Sequence, residues 1–242
     1  MAGDAQAWAA THAGLVRHHN EDSCQVGSWR SGRDGDSWSG RLSNAPLWAA
    51  IADGMGGHRQ GAAASSLVID CIADRVTDRM VEGDILGMLA EANARVFQAM
   101  TGPGGRPAMG STVVGLVSTG RHGWIFNVGD SRAYVLVGGR LLLATRDHTP
   151  SRGSGARSHA LTQSLGGTLT PRPLQPHLMR LDLMTADAVL LCSDGLTDMV
   201  DDEELHALLR RRMDDPAHAL VQAALDGGGC DNVTAVLLRL RD

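Results

Sequence analysis

A chain of 242 residues with 43% hydrophobic and 20% charged positions is long enough for one large core or two small ones. Aromatic residues make up only 3%, so that core must be built mostly from Ala, Val and Leu. A net charge of −5 gives no electrostatic reason for nucleic acid or an anionic membrane as partner, and no apolar run reaches the ~18 residues of a membrane helix.

The first segment, "MAGDAQAWAATHAG", has neither a basic start nor a long apolar run, so no signal peptide is expected. Strands are expected over 6–11, 24–28 and 46–52. The third runs into "IADGMGGHRQGA" (51–62), where Asp53 is followed by four glycines in eight positions. Asp53 should therefore stand where a strand ends and a tight turn begins, with a helix starting near Gly61. An apolar stripe over Val68, Cys71, Ile72, Val76 and Met80 marks that helix, and "DILGMLAEANARVFQAM" reads as a second.

Further strands are expected over 111–118, 123–128, 132–138, 140–144, 178–183, 187–193 and 232–240, with Gly138-Gly139 turning a hairpin. Two late helices follow from the Asp201/Glu204 capping-box pattern and from Pro216 at a first helical position. Glycine- and serine-rich stretches at 27–44, 101–110 and 149–160 have strand-like segments on both sides and do not read as linkers. One α+β domain over 1–242 is the expectation. Cys24, Cys71, Cys192 and Cys230 form no CxxC pair, which points to reduced thiols in a cytoplasmic protein.

Four aspartates share a local grammar: Asp53 follows "LWAAIA", Asp130 follows "WIFNVG", Asp194 follows "AVLLCS", and Asp231 opens "NVTAVLLRL". A carboxylate beside a core strand is costly unless its charge is compensated, and hard divalent cations such as Mg²⁺ or Mn²⁺ do that with oxygen ligands. Each aspartate alone could equally be a cap or turn former.

The segments "GLVRHHNEDS", "ADGMGGH", "GST", "NVGDSRAY", "DH", "LTQSLG", "LLCSDGLTDMV" and "DNVT" occur in that order between residues 14 and 234. Together they resemble the metal-dependent protein phosphatase family, also called protein phosphatase 2C, in its bacterial form. The resemblance implies a four-layer α-β-β-α sandwich of two antiparallel sheets flanked by helix pairs. It implies Mn²⁺ or Mg²⁺ as cofactor, with two tight ions bridged by Asp53 and a hydroxide. The Gly54 carbonyl would hold one ion, and Asp194 and Asp231 the other. Glu21 and Asp22 match positions that hold metal-bound waters, and Arg17 matches the arginine that grips phosphate. A third, weaker ion would lie between Asp130 and Asp194. By the same resemblance the chain is a monomer that acts on phosphoproteins and opposes a serine/threonine kinase, type VI secretion being one setting for such enzymes. Residues 149–160 match the flap beside the active site, where Arg152, Arg157 and His159 would face protein substrates.

Met55 departs from the pattern, since many eukaryotic relatives have a leaving-group histidine there, and His58 is not assumed to replace it. A metal-bound water is one candidate for the acid, and the residues at this point do not single it out. Two motifs imitate other enzymes. "CQVGSWRS" fits a cysteine-phosphatase loop built on Cys24 and Arg30, but the breakers after Arg30 oppose the helix this chemistry needs. "GRPAMGST" resembles a P-loop with Ser111 in place of lysine, and its GST reads instead as the opening of a core strand. Cys192 and Cys230 read as buried thiols. A pseudophosphatase that binds phosphoproteins without cleaving them is the non-enzymatic alternative.

Overall fold

The computed structural model describes residues 4–43, 46–57, 59–102, 108–150 and 160–241. Strands β1 (Ala5–His12), β2 (Ser23–Val26), β3 (Trp29–Arg30), β4 (Ser37–Leu42), β5 (Trp48–Ala52) and β6 (Gly54–Met55) come first. Helices α1 (Arg59–Arg75) and α2 (Glu82–Thr101) follow, then β7 (Gly110–Ser111), β8 (Val113–Thr119), β9 (His122–Val128), β10 (Arg132–Val137) and β11 (Arg140–Leu143). The remainder is β12 (Leu165–Gly166), β13 (His177–Asp182), β14 (Ala188–Cys192), α3 (Asp194–Thr197), α4 (Asp202–Arg210), α5 (Pro216–Asp226) and β15 (Val233–Arg239).

Two six-stranded antiparallel sheets carry the fold, in the orders β11-β10-β14-β15-β1-β4 and β13-β9-β8-β5-β2-β3. Both faces of their central strands are covered, which is why those strands read as nearly continuous apolar runs. Along β1, Ala7 and Ala9 point into the core between the sheets, with Val236, Leu238, Ile51 and Val114. Trp8 and Ala10 point the other way, onto Leu205, Leu209, Leu220 and Val221 of α4 and α5. The second sheet sends Ala50, Val113, Val117 and Phe126 outward against α1 and α2. The result is the α-β-β-α sandwich. A small sheet, β12-β7-β6, sits at one end and continues the chain directly from Asp53.

Most expected elements are present, with boundaries a residue or two away. The Gly138-Gly139 hairpin takes φ of +54° and +76°, the left-handed pair that a two-residue turn requires. The Asp201 carboxylate accepts the Glu204 N–H at 2.9 Å, and Asp215 caps α5 ahead of Pro216.

Three expectations need correction. Helix α1 stops at Arg75; Val76 and Met80 still pack on its core, but from the connection to α2. The expected strand 111–118 is split at Thr112, because β7 belongs to the small sheet and β8 to the large one. The glycine- and serine-rich stretch 27–44 contains an edge strand, β4, whose residues alternate exposed and half-buried. His58 and residues 151–159, including Arg152, Arg157 and His159, lie outside the described residues.

Candidate active site

A cavity of about 1050 Å³ opens at the end of the sandwich where strands of both sheets finish. The second sheet supplies Asp53, at the end of β5, and the turn after β9 supplies Asp130. The first sheet supplies Asp194, just after β14, and Asp231, just before β15. Arg17, Glu21 and Gly54 line the same cavity. Asp22 does not; it lines an adjacent cavity behind that wall.

Backbone and hydroxyl contacts fix the main chain at Asp53. The Asp53 carbonyl accepts the Thr112 N–H at 2.9 Å and the Ser111 hydroxyl at 3.0 Å, while Thr112 Oγ1 accepts the Asp53 N–H at 3.2 Å. The break between β7 and β8 thus positions Asp53. Gly54 explains itself by contact: a Cβ there would stand 2.1 Å from the Gly61 carbonyl oxygen and 2.6 Å from that of Glu21. One on Gly61 would stand 1.8 Å from Glu21 Oε2. The glycines of "ADGMGGHRQG" therefore let the Asp53 turn, the start of α1 and the Glu21 segment press together.

On the other sheet, Asn232 Nδ2 donates to the carbonyls of Ala13 at 2.9 Å and His19 at 2.8 Å, and Asn232 Oδ1 accepts the Glu21 N–H at 2.8 Å. This one carboxamide ties the Arg17 loop to the residue after Asp231. Asp22 is 9% exposed, and its Oδ2 accepts the Ser193 hydroxyl at 2.9 Å and the Thr234 hydroxyl at 2.6 Å. Its Oδ1 is buried without a hydrogen-bond partner among the described residues.

Such crowding of carboxylates resists ionisation. Burial pushes Asp22 up to about 7 against its two hydroxyl donors, with Asp194 and Asp231 adding to the rise. Burial and then the Asp22, Asp194 and Asp130 charges hold Asp53 well above the usual carboxylate range. Asp130 is raised to about 7 by burial and by Asp194. An all-oxygen donor set short of positive charge fits hard divalent cations. Among the described residues, no three acidic, histidine or cysteine side chains are placed close enough to ligate one ion together. One of the candidates is engaged elsewhere: Asp231 Oδ2 pairs with Arg17 Nη2 at 2.7 Å. The donor chemistry fits, and Asp231 Oδ2 is shared with Arg17.

The cysteine-phosphatase reading is overturned. Cys24 is fully buried in β2 and burial pushes its thiol up to about 12, so it is no thiolate nucleophile. Arg30 is taken up by Asp70 and Ser66. Ser111 lies in β7, at the opening of the strand pair and not in a phosphate loop. Cys192 is buried, but Cys230 is exposed and lines the cavity, which corrects its expected burial. Sequence reasoning missed Thr112, Ser193, Asn232 and Thr234. Each sits inside or beside a quoted segment, so the signal was proximity alone.

A family model described as "Protein phosphatase 2C" matches residues 30–227. The chain is 35% identical to the serine/threonine protein phosphatase PstP of Mycobacterium tuberculosis, over 97% of this chain and 45% of PstP. The chain thus spans about half the length of that relative. It is 29% identical to the serine/threonine phosphatase stp of Listeria welshimeri, over 94% of this chain and 93% of stp. The solved structure of PppA, described as a key regulatory component of T6SS in Pseudomonas aeruginosa, superposes with a TM-score of 0.74 at 30% identity, covering 96% of each chain.

Proposed function

The chain belongs to the protein phosphatase 2C family, and from that premise we propose that it is a metal-dependent phosphatase that hydrolyses phosphoserine and phosphothreonine in proteins. The observation that carries the reading is the meeting of Asp53 from one sheet with Asp194 and Asp231 from the other, in a cavity that also holds Arg17. We assign two Mn²⁺ or Mg²⁺ ions to Asp53, the Gly54 carbonyl, Asp194 and Asp231, with Glu21 and Asp22 acting through water. The substrates are phosphoproteins, and the counterpart activity is a serine/threonine kinase. The likeness to PppA keeps type VI secretion as one setting for that pair.

When bound, divalent ions supply a water acidic enough to attack phosphorus and charge to neutralise the departing oxygen. Arg17 brings a planar fork suited to two phosphoryl oxygens, on a loop that Asn232 fixes at both ends. Asp22 gathers the Ser193 and Thr234 hydroxyls, and so ties together the segments that carry Asp194 and Asp231. Met55 lines the cavity but has no proton to give, so it is not the acid for the leaving alcohol. Release of phosphate from p-nitrophenyl phosphate and from a phosphothreonine peptide should require Mn²⁺ and stop with EDTA. No Mn²⁺-dependent release would overturn the reading and leave the pseudophosphatase in its place.

Asp130 is assigned the weaker third ion, with Asp194. Asp130→Ala is expected to lower turnover about tenfold and to raise the Mn²⁺ needed for half-maximal rate, while calorimetry still counts two tight ions. Wild-type kinetics and an unchanged metal titration would return Asp130 to the role of a strand-ending turn residue.

A further inference from the structure

Two large aliphatic side chains beside Arg17 stand in water: Leu15 is 66% exposed and Val16 is 62% exposed. Exposed aliphatics are unremarkable singly, but Leu15 is held in place, and so are both ends of the loop that carries the pair. The Leu15 N–H donates to the Gly229 carbonyl at 2.7 Å, and the Leu15 side chain packs close over Gly229. The carbonyls of Ala13 and His19, on either side of the pair, are both bonded to Asn232. Val16 also lines the cavity, as do Met55, Leu161 and Met199. The loop therefore presents a preorganised apolar step directly next to the residue assigned to grip phosphate, and preorganised surface binds without further ordering cost.

We propose that Leu15 and Val16 form a specificity subsite for an aliphatic side chain flanking the phosphorylated residue of the substrate. The inference rests on the phosphatase reading above. The occupant is argued from position: Val16 adjoins Arg17 in the chain and lines the same cavity, which places it beside the residue that flanks a phosphate held by Arg17. The flanking residue is then part-buried against two aliphatic side chains, which corresponds to about tenfold in kcat/KM.

Matched phosphothreonine peptides with valine or serine on both sides of the phosphothreonine test this, beside p-nitrophenyl phosphate, which has no flanking residue. The wild type is expected to favour the valine peptide about tenfold in kcat/KM. In the Leu15→Ser/Val16→Ser variant that preference should shrink to within about twofold, with p-nitrophenyl phosphate hydrolysis falling less than hydrolysis of the valine peptide. A Val16→Ile variant should keep the preference. Equal wild-type rates on the two peptides would overturn the proposal. So would a double variant that slows all three substrates alike, because the pair would then only shape the Arg17 loop. If the wild type cleaves none of the three with Mn²⁺, the phosphatase reading itself fails and this subsite falls with it.

Discussion

Asp53→Asn is expected to reduce phosphate release by roughly a thousandfold, the scale seen when a group that stabilises developing charge is removed. The variant should also be more stable than the parent when both are free of metal. Burial and the charges of Asp22, Asp194 and Asp130 raise the Asp53 pKa, so the folded state holds its proton more tightly than the unfolded chain does. A raised pKa contributes stability at low pH that is lost as pH climbs past the ordinary carboxylate range. At neutral pH the parent bears that penalty, while asparagine of the same shape does not. Chemical denaturation in EDTA at pH 5 and pH 8 should show the variant's advantage growing with pH. A variant less stable than the parent at pH 8 would mean that lost activity reflects a damaged fold, and comparable turnover under saturating Mn²⁺ would remove Asp53 from the metal site.

Arg17→Ala should cost about a hundredfold in kcat/KM with little change in melting temperature. Its ion pair with Asp231 joins side chains that are 57% and 39% exposed, and such pairs contribute only about 0–1 kcal/mol. Hydrogen bonding to Asp231 and that carboxylate's charge raise the Arg17 pKa, so the group is a cation at every working pH. Arg17→Lys keeps the charge but not the planar fork, and should restore only part of the loss. Because the pair occupies Asp231, the alanine variant should also bind Mn²⁺ at least as tightly as the parent by calorimetry. Unchanged kcat/KM would take Arg17 out of the site.

How much of this was legible in the sequence depends on how local the signal was. The apolar runs ending in Asp53, Asp130 and Asp194 were readable because a strand buried on both faces shows as unbroken hydrophobicity. Strand β4 was not, since an edge strand needs only Trp38, Gly40 and Leu42 facing inward, and glycines around it obscure the alternation. The break at Thr112 depends on which sheet each half joins, a tertiary choice that leaves no periodic mark. The pairing of Arg17 with Asp231 and the hydroxyl cradle of Asp22 join residues from opposite ends of the sequence. Single residues at such separation carry no spacing to read. The exposure of Cys230 escaped for a related reason: burial of a lone side chain is set by neighbours brought from elsewhere.

Strand β15 lies between β14 and β1, and it is laid down last of the three. The first sheet therefore consists of two parts, β11-β10-β14 and β1-β4, that are joined through β15. Asp231 and Asn232 arrive with that strand, and Asn232 is what braces the early loop bearing Arg17. A nascent chain that has emitted Asp53, Asp130 and Asp194 still has neither the fourth carboxylate nor the braced arginine. A chain cut before β15 would therefore carry three of the acids without Asp231 and without the carboxamide that braces the Arg17 loop.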